Sequence, residues 1–152
     1  MRVRRVGFGF HLVATLALLS FGWVYASATE FMPYHAAAAG AAWQDLSPGL
    51  QVLGVVALRL IGAGSIAVGL ALGAILWVPF RRRERWALWT VPVIGVGYGL
   101  VLGFAAFSVA SATPGNPPWR AALMLPALFL FGGILSLVPV PDEDTSREGE
   151  TT

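Results

Sequence analysis

The chain contains no cysteine, and all ten of its basic residues are arginine, so lysine is missing as well. Without thiols there is no disulfide, thiolate metal ligand, iron–sulfur cluster or thiol redox chemistry. Without lysine there is no Schiff-base nucleophile and no lysine general base. Charge of either sign is scarce, at 12% of residues against roughly 25% in soluble domains. Histidine occurs only at His11 and His35, about a membrane thickness apart, so the two cannot share one metal. No nucleophile triad, Walker loop, dinucleotide fingerprint or zinc-ligand spacing is present. Gly62-Ala63-Gly64 lies inside an apolar run rather than after a strand, which removes a phosphate-cradling reading. Nothing in the sequence asks for a cofactor or a metal.

Apolar residues are what the chain has in quantity, at 57% with a mean hydropathy of +0.71. They gather into four segments, Val6 to Ala28, Val52 to Val78, Trp86 to Ala110 and Ala121 to Val138. Each approaches the roughly 20 residues that carry a helix across a hydrocarbon core of about 30 Å. The polar alternation of a barrel strand is absent. The expected fold is an all-α membrane protein: one domain over residues 1–140, forming an antiparallel bundle of four transmembrane helices.

The arginines set the orientation, because basic residues in short loops stay on the cytoplasmic side. Arg2, Arg4 and Arg5 precede the first segment, and Arg81, Arg82, Arg83 and Arg85 fill the second connection. The other two connections hold only Arg120. A multi-pass plasma membrane protein with both termini cytoplasmic follows. Residues 141–152 carry Asp142, Glu143, Asp144, Glu148 and Glu150 against Arg147, a composition expected of a disordered acidic tail. The tail's net −4 against the chain's +2 leaves +6 on the membrane body, so membrane lipids, not nucleic acid, are the expected charged partners. Ala26-Ser27-Ala28 after an arginine-led apolar run resembles a signal-cleavage site. The run is longer than the usual apolar core of about 7 to 15 residues, which favours an uncleaved anchor.

Small residues mark where helices touch, since they let backbones approach in a solvent that supplies no hydrophobic drive. Gly95, Gly99 and Gly103 recur every four residues in the third segment, and Ser65, Gly69 and Gly73 in the second. The stripes can join those two helices, which the short arginine connection makes neighbours, or can join two chains. Pro92 and Pro126 are expected to bend their helices.

The first outer connection, Thr29 to Gln51, is the longest. From His35 to Leu46 it reads as a short interfacial helix anchored by Trp43 and broken by Ser47-Pro48-Gly49. Thr113-Pro114-Gly115-Asn116-Pro117-Pro118-Trp119 forms a stiff second outer loop. Arg59 is the one charged residue inside a membrane segment, where an arginine costs about 2.5 to 3.5 kcal/mol at the helix centre. It calls for a partner, and Glu30, His35 and Asp45 lie on the same side. These four residues form a candidate outward-facing site for an anionic headgroup or small polar ligand. The competing reading is a structural pair between Arg59 and one acid.

The four-segment layout, the longer first outer loop and the stretch Leu58-Arg59-Leu60-Ile61-Gly62-Ala63-Gly64 together resemble the small DoxX-like membrane proteins. That resemblance implies a four-helix bundle and, in some members, an association with quinone-linked or redox membrane systems; Arg59 is the only residue it carries over. The scarcity of polar groups favours a non-catalytic accessory or assembly subunit, with a membrane protein partner or a homo-oligomer. The alternative is a binder or carrier of a lipid, quinone or small polar ligand at the outer cluster. A transporter ranks lower, because no helix face offers a continuous polar row.

Overall fold

In the computed structural model, residues 2–138 are described, and the acidic segment 141–152 lies outside them. Every regular element among the described residues is helical, and four helical stretches are long and apolar enough to cross a membrane. Helix α1 spans Arg2–Ala26 and α2 spans Pro33–Ala39. A single 3₁₀ turn at Trp43–Asp45 precedes α3, Pro48–Ile75, which runs on through a π-helical turn at Leu76–Phe80. Helix α4 covers Arg85–Ala112, α5 Trp119–Ala122 and α6 Met124–Leu137.

Helix ends fall where local chemistry places them. Pro33 and Pro48 open α2 and α3, positions where a missing N–H costs nothing. The Ser47 hydroxyl accepts from the Leu50 N–H at the start of α3. Glycine ends α2: Gly40 adopts φ 68°, and its N–H returns to the carbonyls of Ala36 and Ala37. This stop corrects the expected helix from His35 to Leu46, because a left-handed residue cannot continue an α-helix. The fourth apolar stretch runs as one span over Trp119–Leu137, with a local irregularity at Leu123 between α5 and α6. Pro126 therefore sits in the first turn of α6, not at a mid-helix bend.

Helix α1 is the hub and packs against both α3 and α6, while α4 packs mainly against α6. Its buried face, His11, Ala14, Thr15, Leu18 and Gly22, recurs at the three- and four-residue steps of a helical stripe. Leu72, Leu76, Phe80, Ala87, Leu88, Val91 and Phe129 complete the core.

Glycines set the approach distances. A Cβ on Gly62 would collide with the Ala26 backbone and stand 2.6 Å from the Gly22 carbonyl oxygen, so α1 and α3 cross at backbone contact. Gly69 faces Leu19, and Gly73 faces Thr15. Gly95 receives the Phe129 ring, Gly99 receives Pro126 and Gly103 receives Leu123, while Gly133 of α6 receives Pro92 of α4. The α3 stripe thus serves α1, and the α4 stripe serves α6. This corrects the expected pairing of the two stripes across the arginine turn. The turn does bring α3 and α4 together at their inner ends, but along their lengths little joins them beyond one polar bridge. There the Ser65 hydroxyl donates to the Ile61 carbonyl at 2.8 Å and accepts from the Tyr98 hydroxyl at 2.9 Å.

Two glycines separate packing from propensity. Gly62→Ala should lower stability by about 1–3 kcal/mol, the usual cost of overpacking, because only backbone stands in the way of the new methyl. Gly97, with open space around it, should accept alanine with a gain approaching about 1 kcal/mol in helix propensity. Thermal unfolding of the two variants in the same detergent checks the pair; equal effects would contradict the crossing.

Candidate functional site

The end of the bundle opposite the arginine turn, termed outer to match the expected topology, is closed by α2 and its flanks. Phe31 occupies the space left by Gly54 of α3, and Gly115 of the second outer loop lies against the Tyr34 carbonyl and Ala38 of α2. Gln51 donates from its side-chain amide to the Trp43 carbonyl at 2.8 Å, tying the 3₁₀ turn to α3. Tyr34 donates to the Met32 sulfur, leaving Tyr25 to donate to the Tyr34 oxygen at 2.6 Å. Burial, followed by the hydrogen bond and charge of Tyr25, pushes the Tyr34 hydroxyl pKa well up, so it stays protonated.

His35 sits among the rings of Tyr34, Phe31 and Tyr25, with centroids 4.3, 5.6 and 6.1 Å away. Its Nδ1 is buried without a hydrogen-bond partner. Burial holds the imidazole pKa below its ordinary value, as expected when a low-dielectric surround penalises the cation.

Arg59 lies elsewhere. It is exposed and lines an open groove of about 420 Å³ with Thr29 and Trp43 of the outer connection and Gln51, Val55 and Val56 of α3. Glu30 and Asp45 are exposed and do not line this groove, and neither does His35. The four residues are therefore not brought together: His35 lies in an aromatic nest, Arg59 lines a groove joined to that nest only through the Trp43–Phe31 contact, and Glu30 and Asp45 belong to neither. Among the described residues no three His, Asp or Glu side chains come together as a metal site.

A second cavity, absent from the sequence reading, opens at the inner end and measures about 600 Å³. Arg5, Phe8 and Leu12 of α1 form one side, and Trp77 and Phe80 of the π turn form another. Arg81 and Arg83 reach it from the connection, Leu88 from α4 and Ser136 from α6. The π turn contains Pro79, and the Glu84 N–H bonds back to the Pro79 carbonyl. Arg83 takes a left-handed φ of 62°, unusual for a residue with a side chain. The Arg81 guanidinium carbon stands 5.4 Å from the centre of the Trp77 ring.

Below this cavity lies a buried polar layer. His11 is fully buried between Phe80, 5.2 Å away edge-on, and Phe129 at 5.8 Å, and neither ring nitrogen has a partner. The hydroxyls of Thr15 and Ser136 are also buried and unpartnered. Gly132 makes room for the imidazole, since a Cβ there would stand 2.9 to 3.0 Å from its ring atoms.

No family model matches the chain, and no curated protein or solved structure matches it. The functional reading therefore rests on geometry alone.

The inner cavity was not legible in the sequence because residues 5, 81, 83 and 136 converge only after folding. The arginine run leading to Trp86 was visible, but on sequence alone topology accounts for it better than recruitment of anionic lipid does.

The half-buried His35 gives a pH dependence of definite sign. A histidine whose folded pKa is depressed leaves the unfolded state binding more protons, so stability is fully present above about pH 6.5 and declines as pH falls below it. Hydrogen exchange across Pro33–Ala39, corrected for intrinsic rates, should show more opening at about pH 5.5 than at about pH 7.5. His35→Phe should remove that difference; a difference that persists in the variant would assign it to another group.

Proposed function

We propose that the chain is a four-helix integral protein of the plasma membrane, with both termini cytoplasmic, acting without catalysis as an accessory or assembly subunit of another membrane protein. The orientation rests on the arginines, which crowd the first turns of α1 and the turn between α3 and α4 while the outer connections hold Arg120 alone. The DoxX-like resemblance stays within this reading, at the level of a small four-helix membrane body.

One observation carries the partner role. The glycines that draw the helices together are spent inside the molecule, whereas Ala63, Ala67 and Ala71 recur every four residues on α3 and are all exposed. In hydrocarbon a small-residue face of this spacing is an association surface, because close backbone approach, rather than apolar burial, drives helix pairing there. Among the described residues the buried polar side chains are His11, Thr15, Ser65 and Ser136, too few to line a path across the bundle, which suits a scaffolding role better than proton transfer or transport.

Native mass spectrometry of the protein released gently from its own membranes tests this. The expected result is a stoichiometric complex with a different membrane protein, lost in Ala67→Leu while the subunit keeps its own thermal stability. A lone monomer, or a homo-oligomer only, would overturn the accessory reading.

A further inference from the structure

We infer that the inner cavity is a binding site for the phosphate headgroup of an anionic membrane phospholipid. Its rim is cationic: Arg5, Arg81 and Arg83 line it, and among the described residues no carboxylate does. The nearby acid, Glu84, accepts from the Trp86 indole instead. Arginine is suited to this task, since its planar fork presents paired donors to phosphate oxygens.

Three features distinguish this cavity from a scatter of topogenic charge. Ser136, 3% exposed, lines it, and its hydroxyl, packed beside Gly7, has no partner among the described residues. A buried polar group left in that state costs about 1–3 kcal/mol, and a phosphate oxygen would satisfy it. Arg83 lines the cavity as the left-handed residue that ends the π turn, where its own N–H returns to the Phe80 carbonyl and the Glu84 N–H to the Pro79 carbonyl, so the helix stop itself fixes where this side chain starts. Trp77 and Leu12 are exposed on the apolar flank of the cavity, so an acyl chain can leave along them into the hydrocarbon. The site thus matches an amphiphile in both halves, with charge at the interface and an apolar path below it, which a free phosphate ion would not need.

The inference does not depend on a protein partner and can be tested on the purified chain. Nanodiscs containing phosphatidylglycerol and phosphatidylcholine in equal amounts supply both headgroups, and native mass spectrometry counts the lipid that leaves with the protein. The wild-type chain should retain one phosphatidylglycerol in preference to phosphatidylcholine. Arg81→Gln combined with Arg83→Gln should reduce that preference by about tenfold or more. Ser136→Ala leaves every topogenic arginine in place, so it tests the site even if the double variant inserts poorly, and it should weaken retention several-fold. Arg120→Gln, in the connection at the other end of the bundle, should leave retention unchanged. Equal retention of the two lipids, an unaltered preference in Ser136→Ala, or a loss in Arg120→Gln as large as in the inner variants would each overturn the site.

Discussion

The structure depends on one close approach, the crossing of α1 and α3 where Gly22 and Gly62 leave no side chain between the two backbones. A helix in hydrocarbon gains nothing by hiding leucine from lipid, so contact must come from packing that lipid cannot match. Removing side chains at the crossing provides it. With α3 seated on one side of α1, the opposite side meets α6, and α6 in turn carries α4 through Gly95, Gly99 and Gly133. Helix α1 is accordingly both the first segment of the chain and the element on which the rest is assembled.

This order has consequences at both ends. Helices α3 and α4 are joined by the shortest of the three long-helix connections, yet along their lengths little joins them beyond the hydrogen bond between Tyr98 and Ser65. The π turn at Leu76–Phe80 sends Phe80 inward against His11 and leaves Trp77 outside. That divergence opens the inner cavity beside a cluster of arginines. At the outer end the gap is closed by α2, held by aromatic contacts and by Gly115 rather than by charge.

The existence and approximate positions of the four apolar helices were legible because hydropathy and length are nearly sufficient for a span. The glycine stripes were legible as contact surfaces, but their partners were not, since spacing on one helix says nothing of which neighbour fills it. Chain connectivity misled there: a short turn makes α3 and α4 adjacent at one end, while Phe129 and Pro126 on α6 have the shapes that fill Gly95 and Gly99. The stop at Gly40 was overlooked because an alanine-rich run reads as helix past a single glycine. In the outer site, charge was given more weight than shape. Arg59, Glu30 and Asp45 look complementary in sequence, yet His35 is held by rings and Arg59 lines a neighbouring groove. Ser136, an isolated serine in an apolar run, carries no local signal at all.

Cysteine cross-linking in native membranes tests the helix order most directly, and the absence of natural cysteines makes each engineered pair unambiguous. Leu19→Cys with Gly69→Cys, and Gly103→Cys with Leu123→Cys, should form disulfides within one chain, because these positions face each other across the α1/α3 and α4/α6 contacts. Gly69→Cys with Gly99→Cys should not. Efficient cross-linking of that last pair, with the first two silent, would show that the α3 and α4 stripes meet each other and would contradict the central role of α1.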